Sequence, residues 1–122
     1  MIVVQSTWPM IDTQFIPEAR APAPGEPGRE AIELAAVLHA LSDPVRLQIV
    51  AELGDRVEHT CGSIKLPVTK STCTHHFRVL REAGLIHQRQ EGTSRLNSLR
   101  SDDLETRFPG LLDTVLRAAA LG

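Results

Sequence analysis

The chain has 122 residues, room for one domain with a tail, and its hydrophobic content of 42% with only 3% aromatics predicts an aliphatic, helix-rich core. No run of about 18 apolar residues occurs, and the first residues lack the basic and apolar stretches of a secretory signal, so no membrane span is expected and a cytoplasmic protein is. The net charge of −2 conceals an asymmetry: Thr60 to Arg100 carries seven bases against two acids, a net of +5, while the rest carries six bases and thirteen acids, a net of −7. A basic segment on an acidic body is the electrostatic footprint of a polyanion binder.

Five of the eight prolines fall in the first 28 residues, and Ala21-Pro-Ala-Pro-Gly-Glu-Pro-Gly28 reads as an extended linker, because each Pro fixes φ and removes a donor. Residues 1–28 are therefore taken as an N-terminal arm, with Ile2 to Val4 and Ile11 to Ile16 apolar enough to dock on the body or on a partner subunit. Residues 29–122 form the domain. Arg29 to Leu41 places Leu34, Ala35, Val37, Leu38 and Leu41 on one helical face. Ser42-Asp43 then offers a cap and Pro44 suits a first turn, opening a second, mostly buried helix that ends at Gly54. Arg46 projects into its apolar arc, so its stem should pack and its head should seek a partner.

Thr60 to Leu66 holds at most two turns before Pro67. Thr69 is an N-cap for a helix over 70–83, with Gly84 as its stop. Leu85 to Gln90 and Arg95 to Leu99 are strand-compatible runs on either side of Glu91-Gly92-Thr93-Ser94, the pattern of a β-hairpin. Ser101-Asp102-Asp103 opens a further helix, Pro109 interrupts it near Arg107, and a last helix follows to about Leu121. Its face of Leu111, Leu112, Val115, Leu116 and Ala119 needs cover. Helix, helix, short helix, longer helix, hairpin and helix is the order of a winged helix-turn-helix: mainly α with a small β-hairpin.

Two blocks carry a family resemblance. Ala40-Leu-Ser-Asp-Pro-Val-Arg-Leu-Gln-Ile-Val50 resembles the second-helix signature of the ArsR/SmtB repressors. Ser71-Thr-Cys-Thr-His-His-Phe-Arg-Val-Leu-Arg-Glu-Ala-Gly-Leu-Ile86 resembles that family's recognition helix and its exit into the wing, and Glu91 to Ser94 sits where such proteins turn the wing. The resemblance spans about Arg29 to Leu121. It implies a homodimeric repressor that binds a palindromic operator in double-stranded DNA and releases it when an inducer arrives.

Advancing about 100° per residue sorts the helix over 70–83 into two faces. Cys73, Phe77, Val79, Leu80 and Ala83 share the apolar side, with His76 among them as a structural histidine. Lys70, Ser71, Thr74, His75, Arg78, Arg81 and Glu82 share the other, a set of donors suited to a major groove. Ser71, Thr74, His75 and Arg78 are assigned to base edges and Lys70 and Arg81 to phosphates, roles that are interchangeable without a complex. On the wing (85–99), Arg89, Thr93 and Arg95 cluster about the tip, where they can reach a minor groove or its phosphates.

No Ser-His-acid order, phosphate-cradling loop or carboxylate pair points to an enzyme. The different-class alternative is a winged helix used only for protein contacts. The effector is open. Relatives that sense metals place thiolates before the recognition helix, where this chain has His59-Thr-Cys61, a partial match. Arsenite sensing wants three thiolates, and there are two, Cys61 and Cys73. The last helices hold Asp102, Asp103, Glu105 and Asp113 without a His, which argues against a zinc site there. Zinc held by Glu58, His59, Cys61 and a partner's group, or oxidation of Cys61 and Cys73, are the sensor alternatives to a protein without a metal cofactor, one that answers to a non-metal ligand, to a partner protein or to no effector.

Overall fold

The segment from Arg29 to Leu41, expected as one helix, divides in two. A computed structural model describes residues 23 and 25–121, and in it Arg29–Ala31 forms a single 3₁₀ turn while α1 spans Leu34–Leu41. Ile32 is the cause. Its side chain is completely buried, and its carbonyl accepts hydrogen bonds from Arg107 Nη2 at 2.6 Å and Nε at 3.2 Å instead of continuing a helix. It lies so close to Gly84 that a Cβ there would sit 2.7 Å from Ile32 Cγ1. Gly84 also has φ +92°, so this helix terminus requires glycine on two grounds.

The chain bends by 100° between α1 and the next helical stretch. Here α2 spans Pro44–Glu52 and runs on into a 3₁₀ turn, Leu53–Asp55. Asp43 alone caps it, accepting from Val45 N at 2.8 Å and Arg46 N at 3.2 Å, whereas Ser42 closes α1 by donating to the His39 carbonyl. Burial works to raise the Asp43 pKa, but the N–H groups of Arg46 and Val45 outweigh it and hold the carboxyl below its usual range. Arg46 behaves as its position implied. Buried, it donates from Nε to the Ala40 carbonyl at 2.8 Å and from Nη1 to His76 Nδ1 at 3.1 Å. His76 is accordingly a buried structural residue, accepting through Nδ1.

The segment after α2 holds a two-residue strand, β1 (His59–Thr60), that the sequence did not disclose, followed by a 3₁₀ turn, Cys61–Ser63. Then α3 spans Lys70–Ala83, capped by the Thr69 hydroxyl accepting from Thr72 N. The hairpin follows as β2 (Ile86–Glu91) and β3 (Ser94–Leu99), with Gly92-Thr93 as its loop. The sheet is antiparallel in the order β1-β3-β2, with His59 opposite Asn97 and Asn97 opposite Gln88. Finally α4 covers Ser101–Arg107 and α5 covers Leu111–Leu121. The expected Ser101 cap is corrected: Arg100 stands at the N-cap, no side chain caps the helix, and Asp103 pairs with Arg29 and Arg100 instead.

The core joins Ile32, Val37, Ile49, Val50, Leu53, Leu80, Leu85, Ile86 and Leu104, with Phe77 its one aromatic among the described residues. Each such side chain contributes about 1.5–3 kcal/mol by leaving water. The face expected on the first helix is partly turned outward: Val37 and Ala40 are buried, but Leu34 and Leu38 are 45% and 47% exposed. Of the α5 face, Leu112 is buried and Leu111, Val115, Leu116 and Ala119 are half-buried. The arm boundary at residue 28 is not a packing boundary, since Glu26 is buried against the wing. The apolar stretches at 2–4 and 11–16 lie outside the described residues.

Candidate nucleic-acid interface

Capping, stop and amphipathic pattern together fix which side of α3 faces outward. Phe77, Leu80 and Ala83 are buried and Cys73 half-buried, so the opposite face presents Lys70, Ser71, Thr74, His75 and Arg78, all exposed. Among the described residues, the side chains of Lys70 and Arg78 make no ion pair or hydrogen bond. Thr74 Oγ1 donates to the Lys70 carbonyl at 3.1 Å, so it must turn before it can donate to a base, and Ser71 Oγ lies 3.3 Å from Thr69 Oγ1.

A cleft of about 570 Å³ separates α3 from the wing. It brings together Lys70, Thr74, Arg78 and Arg81 from the helix and Thr93 and Arg95 from the wing, with no carboxylate in its lining. Ser71, His75 and Arg89 lie outside that lining. Gln88, Gln90 and Ser94 line it too, with Thr60, Cys61, Gly62 and Phe77. Four cations around a groove lined otherwise mainly by hydroxyls, amides and a thiol, with no acid among them, suit a polyanionic backbone.

Two of the predicted contacts are engaged within the protein. Arg81 is half-buried and donates from Nη1 to Gln88 Oε1 at 3.0 Å; Glu82 lies 3.9 Å away, and its Nε is buried without a partner among the described residues. Arg89 is exposed but forks onto Glu58, with Nε and Nη2 donating at 2.7 and 2.8 Å, and Glu91 is 3.6 Å off. Hydrogen bonding to Glu58 pushes the Arg89 pKa up still further, so the charge is permanent.

The wing root holds polar residues that the sequence did not mark. Asn97 is wholly buried: Oδ1 accepts from Gln88 Nε2 at 2.7 Å, and Nδ2 donates to the His59 carbonyl at 3.1 Å. Glu26 accepts from the His87 ring and from Gln88 N. The contacts of Asn97 with His59 and of Glu26 with His87 and Gln88 leave no local signal, because those partners are far away in sequence.

The residues considered for a metal do not converge. His59 Nε2 donates to Asp55 at 2.8 Å, Glu58 holds Arg89, and Cys61 Sγ accepts from Asn97 Nδ2 at 3.7 Å. Among the described residues, no group of three His, Cys, Asp or Glu side chains could hold a metal ion. The Val57 N–H first, and then His59, hold the Asp55 carboxyl below its usual range. Burial pushes both thiols, Cys61 and Cys73, above the ordinary cysteine value, which disfavours the reactive thiolate.

Comparison with known proteins agrees with this geometry. A family described as "Helix-turn-helix domain" matches residues 41–89, from the end of α1 into β2. The HTH-type transcriptional regulator YceK of Bacillus subtilis (strain 168) is 39% identical over 84 residues, covering 66% of this chain and 84% of the relative. Two solved structures share the fold and sequence similarity. The transcriptional repressor BigR from Xylella fastidiosa is 28% identical with a TM-score of 0.52, covering 66% of this chain and 90% of its own. An ArsR-like transcriptional regulator from Rhodococcus sp. RHA1 is 30% identical with a TM-score of 0.53, covering 72% and 80%. The chain belongs to the ArsR family of winged helix-turn-helix transcriptional repressors, which are DNA-binding proteins and not enzymes.

Proposed function

We propose that the protein acts in the cytoplasm as a homodimer on a palindromic operator, with α3 in the major groove and the wing on the adjacent backbone or minor groove. The observation that carries this is the exposed cationic face of α3, where Lys70 and Arg78 are unpaired among the described residues, continuous with the cleft beside Arg95, whose lining holds no acid. Base-edge contact falls to Ser71, Thr74, His75 and Arg78, and phosphate contact to Lys70 and the wing residues Arg95, Thr93 and Arg89, the last once it leaves Glu58. Arg81 is better placed to hold the wing than to reach a phosphate.

Dimerisation is supported by apolar surface left on two helices: Leu34 and Leu38 on α1, and Leu121, 90% exposed, at the end of α5. One recognition helix reads only a few base pairs, whereas a two-fold dimer reads two half-sites about 34–36 Å apart. The reading includes no metal or redox step, since the donors that would have to converge are engaged separately and burial disfavours both thiolates. Among the described residues, no single helix is long and apolar enough to cross a membrane.

The test is a titration of duplexes enriched by the protein from a random library, at several salt concentrations, with stoichiometry read by sedimentation. Two chains per palindromic duplex, and log affinity falling linearly with log salt, are expected. One chain per duplex overturns the dimer, and an affinity independent of salt overturns the electrostatic account.

A further inference from the structure

The residues just before the domain meet the wing in an unusual way. Glu26 is the one acidic residue that is buried among those described, its side chain only 1% exposed. Oε1 accepts from His87 Nδ1 at 2.8 Å and Oε2 from the Gln88 backbone N–H at 2.8 Å. A carboxylate so far from water depends on such donors, so this segment and the root of β2 are held as one unit.

The same contact reaches α3. Gln88 accepts from Arg81 through Oε1 and donates through Nε2 to Asn97, tying helix, β2 and β3 into one chain of hydrogen bonds. Gly25, at φ +85°, lies against the Arg81 guanidinium: a Cβ there would be 3.3 Å from its Nε and Nη2. Arg81 is therefore confined between Gly25 and Gln88. The far end of the segment is fixed too, by Arg100 Nη1 donating to the Pro27 carbonyl at 2.6 Å and by the Arg29–Asp103 ion pair at 2.6 Å.

We propose that residues 25–29 form a positioning strap, in which Glu26 on the wing root and Gly25 against Arg81 set the placement of the wing relative to α3 and so sharpen the choice of DNA sequence. It rests on the DNA-reading function proposed above. Phosphate contacts tolerate small displacements, whereas base-edge hydrogen bonds require fixed geometry. Loosening the strap therefore removes discrimination more than it removes attraction to DNA. Glu26 touches no DNA in this scheme and acts through His87, Gln88 and Arg81.

The experiment compares the full-length chain with Glu26→Ala and Gly25→Ala. Affinities are measured for a duplex enriched by the wild-type protein from a random library and for a shuffled duplex of equal length, with thermal unfolding followed in parallel. Glu26→Ala is expected to lower the ratio of the two affinities by about tenfold, the worth of one base-edge contact. Gly25→Ala should lower it by a smaller factor, and neither should change the salt slope. Loss of both affinities by one common factor overturns the strap, since that is the result of losing folded protein; an unchanged ratio overturns it as well. Should Glu26→Ala fail to fold, Gly25→Ala decides alone, because Gly25 is exposed and outside the core. A wild-type chain that enriches no sequence overturns the DNA reading itself, and the strap with it.

Discussion

The recognition helix and the wing present similar residues to solvent, yet the protein treats them differently. On α3, Lys70 and Arg78 are exposed and unpaired among the described residues, ready for a ligand. On the wing, Arg95 is exposed as well, but Arg89 is forked onto Glu58, and the buried Gln88 is locked between Arg81 and Asn97. The helix is stable through its own caps and its buried face, so its polar side can be left unengaged. The hairpin has a half-polar interior and is fixed in place by hydrogen bonds and ion pairs with the rest of the molecule. Helix chemistry therefore informs on binding, and wing chemistry informs first on structure.

The sharpest break between the two comes from one truncation in each. Asn97→Ala removes the wholly buried amide that joins β2, β3 and β1, leaving the Gln88 amide and the His59 carbonyl short of partners. A loss of about 3 kcal/mol in chemical denaturation is expected. Arg78→Ala should leave the denaturation midpoint in place, because an exposed substitution outside any network has little effect on stability. It should instead cost about 2 kcal/mol of affinity for the enriched duplex, the scale of one base contact. If Arg78→Ala destabilises the protein, or Asn97→Ala does not, the division between a presented helix and a held wing fails.

A pH series sharpens the same contrast. Asp103 ties Arg29 of the strap to Arg100 at the end of the wing, and its side chain is 14% exposed. Burial works to raise its pKa, but the hydrogen bonds from Arg29 and Arg100 prevail and hold it below the ordinary carboxylate value. A depressed folded-state pKa contributes stability that is present above the unfolded value, about pH 4, and is lost as pH falls through the lower folded value. Asp103→Asn should thus be less stable than wild type by about 1.5 kcal/mol at pH 7. The gap should close below about pH 4 as the wild-type carboxyl takes up its proton. A gap that stays constant across that range would refute the ion-pair account.

How far the sequence could be read follows the same division. The α3 helix is legible from end to end because its signals are local: Thr69 three residues before the N–H it accepts, Gly84 at the stop, and an apolar stripe between. Arg46 and His76 are legible by helical projection, though their mutual bond is not. The two-residue β1 leaves no trace, because it exists only through pairing with Leu96 and Asn97 on β3. The late start of α1 depends on Ile32 lodging against Gly84, more than fifty residues away. Proline content marks residues 1–28 as an arm in the sequence, but proline says nothing of a carboxylate among them that is buried by His87. At the site, exposure on α3 follows from periodicity, while the engagement of Arg81 and Arg89 follows from Gln88 and Glu58, which no spacing rule connects to them.

The smallest expected effect bears directly on that engagement. Glu58 occupies the fork of Arg89 as a phosphate would, so DNA must displace it before the wing can use this arginine. The pair is exposed, and such pairs are worth at most about 1 kcal/mol, so the competition is gentle. Glu58→Gln should raise affinity for any duplex about two- to threefold at low salt, an advantage that fades as ionic strength shortens the Debye length. Removing any surface carboxylate changes the net charge by one and strengthens attraction to DNA a little. Glu91→Gln supplies the control, since it makes the same change in charge but touches Arg89 only at 3.6 Å. A larger gain from Glu58→Gln than from Glu91→Gln assigns Arg89 to the DNA-contacting surface. Equal gains would mean that Arg89 is bound to its own protein in both states and that the wing meets DNA through Arg95 and Thr93 alone.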